Sequence, residues 1–400
     1  MSDYIRRIVG PKEPFASRFR QLSVELTERC NNNCVHCCIN LPENDTEARN
    51  RELTSAQVKD ILKQAATVGY LEVLFTGGEP LLRPDFEELY LFTRKLGMKV
   101  LLLTNGRLIT SRLADLFARI PPLLDIEISV YGMRPESYEA VTRAPGSFTQ
   151  FRQGVDLLTE RRVPFIVKGA LLPQNRNETV DFEAWAETIP WMSGRPKYAM
   201  FFDLRHRRDD PEKNRLIAFL RPAPREGLAL YLRDASRYRQ WTPELAARLL
   251  KPSGTRLFTC GVCEGHGLCV DAYGNAQPCL NLRAPEIACN LVGSGRGTSL
   301  KSALDRFAHL RDLKATNPEY LRRCAVCFLK GICEQCPAKS WAVHGTFDTP
   351  VEYQCDVTNA MARHMGWLED GECAWEVRNW VDRIRESGKR EDKEKDTTKD

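Results

Sequence analysis

The sequence predicts an α/β fold: a partial (β/α)6 barrel followed by a small C-terminal cysteine-rich domain held by metal. Three observations carry this. Apolar runs alternate with helix-spaced segments from residue 21 to about 205, cysteines crowd directly behind the first run, and beyond about residue 256 Cys, Gly and Pro replace regular periodicity. A chain of 400 residues, 42% of them hydrophobic, can bury a substantial core and suits two domains.

The expected strands are 21–27, 71–78, 99–106, 124–132, 164–172 and 197–205. Helical spacing fills the gaps at 55–69, 85–97, 111–120, 135–143, 147–162 and 180–190, and Thr54 with Gln57 offers a capping box for the first helix. Apolar runs without alternation suit parallel strands buried on both faces. Repeated right-handed βα units place chemistry at the carboxyl ends of the strands. The layout is then an N-terminal segment 1–20, the barrel 21–215, a helical bridge 216–256, the cysteine-rich domain 257–365, a C-terminal helix 366–386 and a charged tail 387–400 expected to be disordered.

A net charge of +5 is spread along the chain with no Lys/Arg block before the tail, so nothing asks for nucleic acid. No 18-residue apolar run and no signal-peptide centre occur, which makes the cytoplasm the expected location. Fifteen cysteines is far above ordinary intracellular usage, and a reducing compartment keeps them as thiols. Four lie between 30 and 38 and eleven beyond 259, a gap that scattered core cysteines would not leave. Two or more metal sites in two domains would.

The stretch "ELTERCNNNCVHCCINLP" places Cys30, Cys34 and Cys37 in C-x3-C-x2-C spacing. Structural zinc would need a fourth ligand, and adjacent Cys38 could reach it only with strain. A cubane cluster is usually held by four thiolates, so three leave one iron open. Zinc and cluster both remain open on the spacing alone.

The neighbours favour the cluster. C-x3-C-x2-C after a first strand resembles the signature of the radical S-adenosylmethionine (radical SAM) enzymes, and "TGGEP" at Thr76 to Pro80 resembles their second-strand motif. The resemblance implies a 4Fe-4S cluster on Cys30, Cys34 and Cys37 whose open site takes S-adenosylmethionine. It implies Gly77, Gly78 and Glu79 as the cradle of the methionine amino group, and places His36 where an aromatic usually lies beside the adenine. Later strand ends continue it: Ser129 in "EISVYG" and Arg143 in "YEAVTRAPGSF" become candidate cofactor contacts, with Asn105 in "TNG" and Lys168 weaker. An ordinary strand serine and a solvated helix arginine are the plain alternatives for Ser129 and Arg143.

Beyond residue 259 the pattern of Gly274, Cys279, Cys324, Cys327, Cys333, Cys336 and Cys355 resembles the SPASM domain, the cysteine-rich extension of radical SAM enzymes that modify peptides. It departs by having two residues, not three, between Cys333 and Cys336. The resemblance implies two auxiliary 4Fe-4S clusters. Cys324, Cys327, Cys333 and Cys355 would hold one; Cys279 and Cys336, with one or two of Cys260, Cys263 and Cys269, would hold the other. Zinc knuckles are the alternative. Cys38, Cys289 and Cys373 match nothing and read as small buried hydrophobes.

The family chemistry is reductive cleavage of S-adenosylmethionine to a 5′-deoxyadenosyl radical, which takes a hydrogen atom from the substrate. It implies an external electron donor of flavodoxin or ferredoxin type. The SPASM resemblance implies a ribosomally made peptide, modified by a crosslink, thioether or similar oxidation. Leu280 and Asn281 follow Cys279 where the sulfatase-maturing branch carries aspartate, which argues against that branch. About twenty residues precede the first strand, so a leader peptide is expected to be presented by a separate recognition protein or bound directly. Asp203, Arg205 and His206 could face the substrate, with solvated loop charges as the commoner explanation. Two alternatives stand beside the peptide reading: a maturase of a small molecule such as a tetrapyrrole, and a non-catalytic electron-transfer protein. Electron storage needs no cofactor cradle, so the GGEP motif argues against the last.

Overall fold

The computed structural model describes residues 20–231, 254–292, 298–384 and 386. The expected N-terminal segment, much of the bridge and the charged tail lie outside the described residues. Among the described residues no helix is long and apolar enough to cross a membrane. Packing divides the chain into two compact units, one of Met1–Ala199, Gly261–Leu280 and Ala284–Ala308, the other of Met200–Cys260, Asn281–Arg283 and His309–Asp400.

The first unit is built on one sheet. Strand β1 (Arg20–Thr27) leads into a short parallel pair, β2 (Arg29–Cys30) with β3 (Leu41–Pro42). Strands β4 (Tyr70–Gly77), β5 (Lys99–Thr104), β6 (Leu123–Val130), β7 (Ile166–Ala170) and β8 (Lys197–Ala199) then lie beside β1 in that order, all parallel. Helices α1 (Thr46–Arg51), α2 (Ser55–Thr67), α3 (Phe86–Lys95), α4 (Ser111–Arg119), α5 (Pro135–Thr142), α6 (Ser147–Glu160) and α7 (Thr179–Glu187) make the crossovers. This is the expected α/β architecture with a parallel sheet.

Local chemistry explains the elements. Thr54 Oγ1 accepts the Gln57 amide while Gln57 Oε1 accepts the Thr54 amide, closing the expected capping box at α2. β1 is buried on both faces, as a central parallel strand should be, whereas β5 alternates buried and half-buried positions. Phe86, Tyr90 and Phe117 interlock between α3 and α4, with ring centroids 6.2 and 5.3 Å apart. Each such buried ring contributes about 1.5–3 kcal/mol.

Three expectations are corrected. The strand expected over 197–205 stops at Ala199: the Phe202 carbonyl accepts Arg221 Nε at 2.6 Å, and the Arg205 amide donates to Asn214 Oδ1 at 2.8 Å, so side chains replace ladder partners. Residues 200–231 join the second unit, with α8 (Pro211–Leu220) and α9 (Pro224–Tyr231). Secondly, the cysteine-rich stretch extends the sheet. β9 (Cys269–Val270) pairs in parallel with Ser23 and Val24 of β1, and β10 (Asn275–Gln277) and β11 (Cys289–Asn290) follow antiparallel before α10 (Leu300–Ala308). They satisfy the edge of β1, which would otherwise present unpaired backbone groups.

The third correction concerns the C-terminal helix. In the second unit α11 (Pro318–Arg322), α12 (Pro337–His344) and α13 (Glu352–His364) precede a break, and helix resumes only at 380–384. Gly366 and Gly371 take positive φ of 70° and 85°, which turns the chain instead of continuing α13. The turn carries Trp367 into a core with Phe328, Leu329, Ala362, Leu368, Ala374 and Ile384.

Candidate iron–sulfur and S-adenosylmethionine site

The loop that opens at Cys30 is anchored on several sides. The Arg29 guanidinium forks onto Glu52 at 2.8 and 3.1 Å and reaches the Glu43 carbonyl at 2.9 Å. The amides of Asn33 and Val35 donate to Thr142 and Val141 at 2.8 and 3.0 Å, which ties the loop to the last turn of α5. Arg107, just past β5, donates to the Asn31 carbonyl and to Asn32 Oδ1 at 2.6 Å, while its other nitrogens hold Gln150.

Gly77 and Gly78 sit where β4 meets this loop. A Cβ on Gly77 would lie 2.0 Å from the Thr27 carbonyl oxygen, and one on Gly78 2.3 Å from that of Arg29. Their bare backbone is what allows Gly78 N to donate to Thr27 O at 2.8 Å and Glu79 N to Arg29 O at 2.9 Å. The close approach here is strand to loop.

Glu79 is fully buried. Its Oε1 accepts Leu81 N at 3.1 Å and Thr104 Oγ1 at 2.8 Å, and its Oε2 accepts Asn105 N at 2.8 Å. Burial outweighs these donors and raises its pKa to about 7. Asn105 Nδ2 in turn donates to Asn31 Oδ1 at 2.8 Å and lies 3.8 Å from Cys30 Sγ.

Cys30 and Cys34 are buried and Cys37 half-buried. Burial, then the Glu79 carboxylate and the Cys34 and Cys37 thiols, push the Cys30 thiol well above its usual range. Such a group gathers negative charge on ionisation, and a cationic inorganic cluster relieves it, since ligand thiols must be deprotonated. Tyr138 Oη and Asn32 Nδ2 are buried and find no partner among the described residues. Tyr138 lies close enough to Cys34 and Cys30 for their charges to act on its hydroxyl. The donor set and these two orphaned groups fit an iron–sulfur cluster at this loop. Among the described residues no three or more His, Cys, Asp or Glu side chains are placed to hold a single metal ion.

The remaining candidates are spread around the loop. The His36 ring lies 5.7 Å from that of Tyr131, whose hydroxyl is hydrogen-bonded with the Ser129 side chain. Lys168 pairs with Glu127 on the neighbouring strand. Arg143 is exposed and left-handed, with φ 52°, at the end of α5.

In the second unit Cys324, Cys327, Cys333 and Cys355 come together. Burial and the neighbouring thiols raise Cys324 and Cys327 to about 12, and Cys333 acts on Cys355 in the same direction. Cys336 belongs to this unit too, but the side chains that act on it are Lys339 and Asp203. Cys263, Cys269 and Cys279 belong to the first unit, with Cys269 and Cys289 buried in the sheet extension, and Cys260 is exposed.

Asp203, Arg205 and His206 are not solvated loop charges. Arg205 is buried and forks onto Asp209 at 2.5 and 3.0 Å, and Asp203 lies 3.7 Å from Lys339 Nζ. His206 is buried, with neither ring nitrogen hydrogen-bonded among the described residues. Burial first, then Arg283, Arg205 and Lys339, depress it to about 3.

Sequence reasoning missed Arg107, Tyr138 and Arg323. It also passed over Thr358 and Asn359, which spacing could have found: they stand three and four residues beyond Cys355 on one helix face.

Residues 24–186 match the family model described as the Radical SAM superfamily. The "AdoMet-dependent heme synthase" of Methanosarcina barkeri (strain Fusaro / DSM 804) is 28% identical over 344 residues, which is 82% of this chain and 94% of that protein. The "PqqA peptide cyclase" of Xanthomonas axonopodis pv. citri (strain 306) is 23% identical over 79% of each chain. Among solved structures, anSMEcpe with bound AdoMet and Cp18Cys peptide superposes with a TM-score of 0.57 at 14% identity, over 93% of this chain and 99% of that one. The three-cysteine loop behind β1 lies within residues 24–186, the stretch of this chain that is a radical SAM domain.

Proposed function

We propose that this radical SAM enzyme acts on a tetrapyrrole with carboxylate side chains. One observation carries the choice: the likeness to a heme synthase spans 82% of this chain and 94% of that protein. The peptide reading keeps one support, the peptide cyclase at 23% identity. The superposition with the peptide-bound structure, at 14% identity, speaks to fold alone.

In this reading Cys30, Cys34 and Cys37 hold a 4Fe-4S cluster with an open site, and Gly77, Gly78, Glu79, Asn105, His36, Ser129 and Arg143 surround S-adenosylmethionine. When bound, that pair supplies a 5′-deoxyadenosyl radical on receipt of one electron from a flavodoxin- or ferredoxin-like donor. The chain's own work is positioning. Arg107 and Asn105 fix the cysteine loop, Glu79 fixes Asn105, and the buried rings of Tyr138 and Phe151, 5.1 Å apart, back the site without admitting water. Cys324, Cys327, Cys333 and Cys355 hold an auxiliary cluster. A second auxiliary cluster on other cysteines beyond residue 259 is the other part of the proposal.

The test is anaerobic reconstitution with iron and sulfide, followed by dithionite and S-adenosylmethionine. Addition of an iron tetrapyrrole bearing propionates should raise 5′-deoxyadenosine and change the tetrapyrrole's mass. An unchanged tetrapyrrole, with 5′-deoxyadenosine coupled instead to a peptide encoded beside the gene, would return the peptide reading.

A further inference from the structure

The four thiols of the second unit are not alike. Cys355 Sγ receives two side-chain donors, Asn359 Nδ2 at 3.6 Å and Arg323 Nη2 at 3.7 Å. Cys333 Sγ receives the Gln335 amide at 3.4 Å and shares the Thr358 hydroxyl, also 3.4 Å away, with the Gln354 carbonyl at 2.9 Å. The α-helix explains the pairing, because Thr358 and Asn359 share a face with Cys355 one turn earlier. Both are buried, and the Arg323 side chain is 13% exposed.

Arg323 is held rigidly. It forks onto Glu352 at 2.6 and 2.8 Å and lies 4.5 Å above the Trp375 ring. Two buried donors are left over beside it: Arg323 Nε and Trp375 Nε1 find no partner among the described residues. An unpaired buried donor is unfavourable, and an acceptor-rich group at this site would satisfy it.

We propose that Arg323, supported by Asn359 and Thr358, sets the reduction potential of the iron–sulfur cluster held by Cys324, Cys327, Cys333 and Cys355. Cluster potential follows net charge and hydrogen bonds to sulfur. On reduction the cluster gains one electron and no proton, and the fixed guanidinium charge offsets the added negative charge. The side chain on Cys30 Sγ in the barrel is by contrast the neutral amide of Asn105. The fixed guanidinium therefore raises the potential of the auxiliary cluster above the value its four thiolates alone would set. The inference rests on reading these four cysteines as cluster ligands.

The experiment uses the full chain with Cys30, Cys34 and Cys37 changed to Ala, reconstituted anaerobically and titrated with dithionite under electron paramagnetic resonance. Arg323→Gln should lower the midpoint by at least about 59 mV, a tenfold change in a one-electron equilibrium. Arg323→Lys should recover most of that shift, and Asn359→Leu should give a smaller one in the same direction. A loaded Arg323→Gln protein with the parent midpoint overturns the proposal. Should that variant fail to load, an unchanged midpoint in Asn359→Leu does so. A parent signal no stronger than that of Cys324→Ala/Cys327→Ala would instead sink the ligand assignment itself.

Discussion

Glu79 Oε2 accepts the backbone amide of Asn105 at 2.8 Å, joining the carboxyl end of β4 to that of β5 directly beneath the cysteine loop. With Thr104 Oγ1 and the Leu81 amide on Oε1, the carboxylate is an acceptor for three converging donors. The motif glutamate is thereby part of the frame that aims Asn105 at Asn31 and Cys30.

Glu79→Gln should therefore destabilise the chain despite being nearly isosteric. The new amide group must face either the Asn105 N–H or the Thr104 and Leu81 donors, and leaves one of them unpaired at a cost of about 1–3 kcal/mol. Urea unfolding measures this. A variant as stable as the parent would show that the Asn105 amide does not need the carboxylate.

Gly78→Ala should be far worse than Gly69→Ala. The added Cβ at 78 would meet the backbone oxygens of Arg29 and Glu28 at 2.3 and 2.5 Å, and backbone cannot rotate away. A loss of about 3 kcal/mol or more is expected, with iron binding reduced because the loop is displaced. At Gly69 nothing lies within 4 Å, so only the positive φ of 92° is penalised, at about 1–2 kcal/mol. Equal effects at the two positions would contradict the packing account.

The first five parallel strands of the βα series and their crossovers were legible because each element is long enough to show its period, and Thr54 with Gln57 announced the start of α2. The sheet extension was not legible: β9 has two residues and β10 three, too few for any alternation. The cysteine triad could be read from spacing, and the adjacent glycines from their motif. What the glycines touch could not, since Thr27 and Arg29 approach them through tertiary structure. Arg107 was invisible for the same reason. The break after α13 did have a signal, Gly366 and Gly371, inside a stretch whose apolar spacing outweighed it.

Arg107→Ala should loosen the cysteine loop without disturbing the sheet. It removes the donors to Asn31 and Asn32 and leaves the Asn33 and Val35 anchors to α5 in place. Supporting residues of this kind typically change metal affinity about 10- to 100-fold, so a chelator should strip iron correspondingly faster at unchanged unfolding stability. Iron retention equal to the parent's would confine Arg107 to holding Gln150.

His206 gives a pH test with a definite sign. Unfolded, it titrates near 6.5; folded, burial and the positive charges of Arg283, Arg205 and Lys339 lower it to about 3. Between those values the unfolded chain binds the extra proton, so stability falls as pH drops below 6.5 and goes on falling toward 3. The slope from this one group is up to about 1.4 kcal/mol per pH unit. His206→Gln cannot take up the proton and lacks the term. Its stability should differ from the parent's by a constant amount above pH 7.5, and the parent should lose ground to it steadily from pH 6 to pH 4. Other titrating groups cancel in that difference. Parallel curves across the whole range would mean that the imidazole is protonated in the fold or exposed to water, and that the buried neutral histidine described here is wrong.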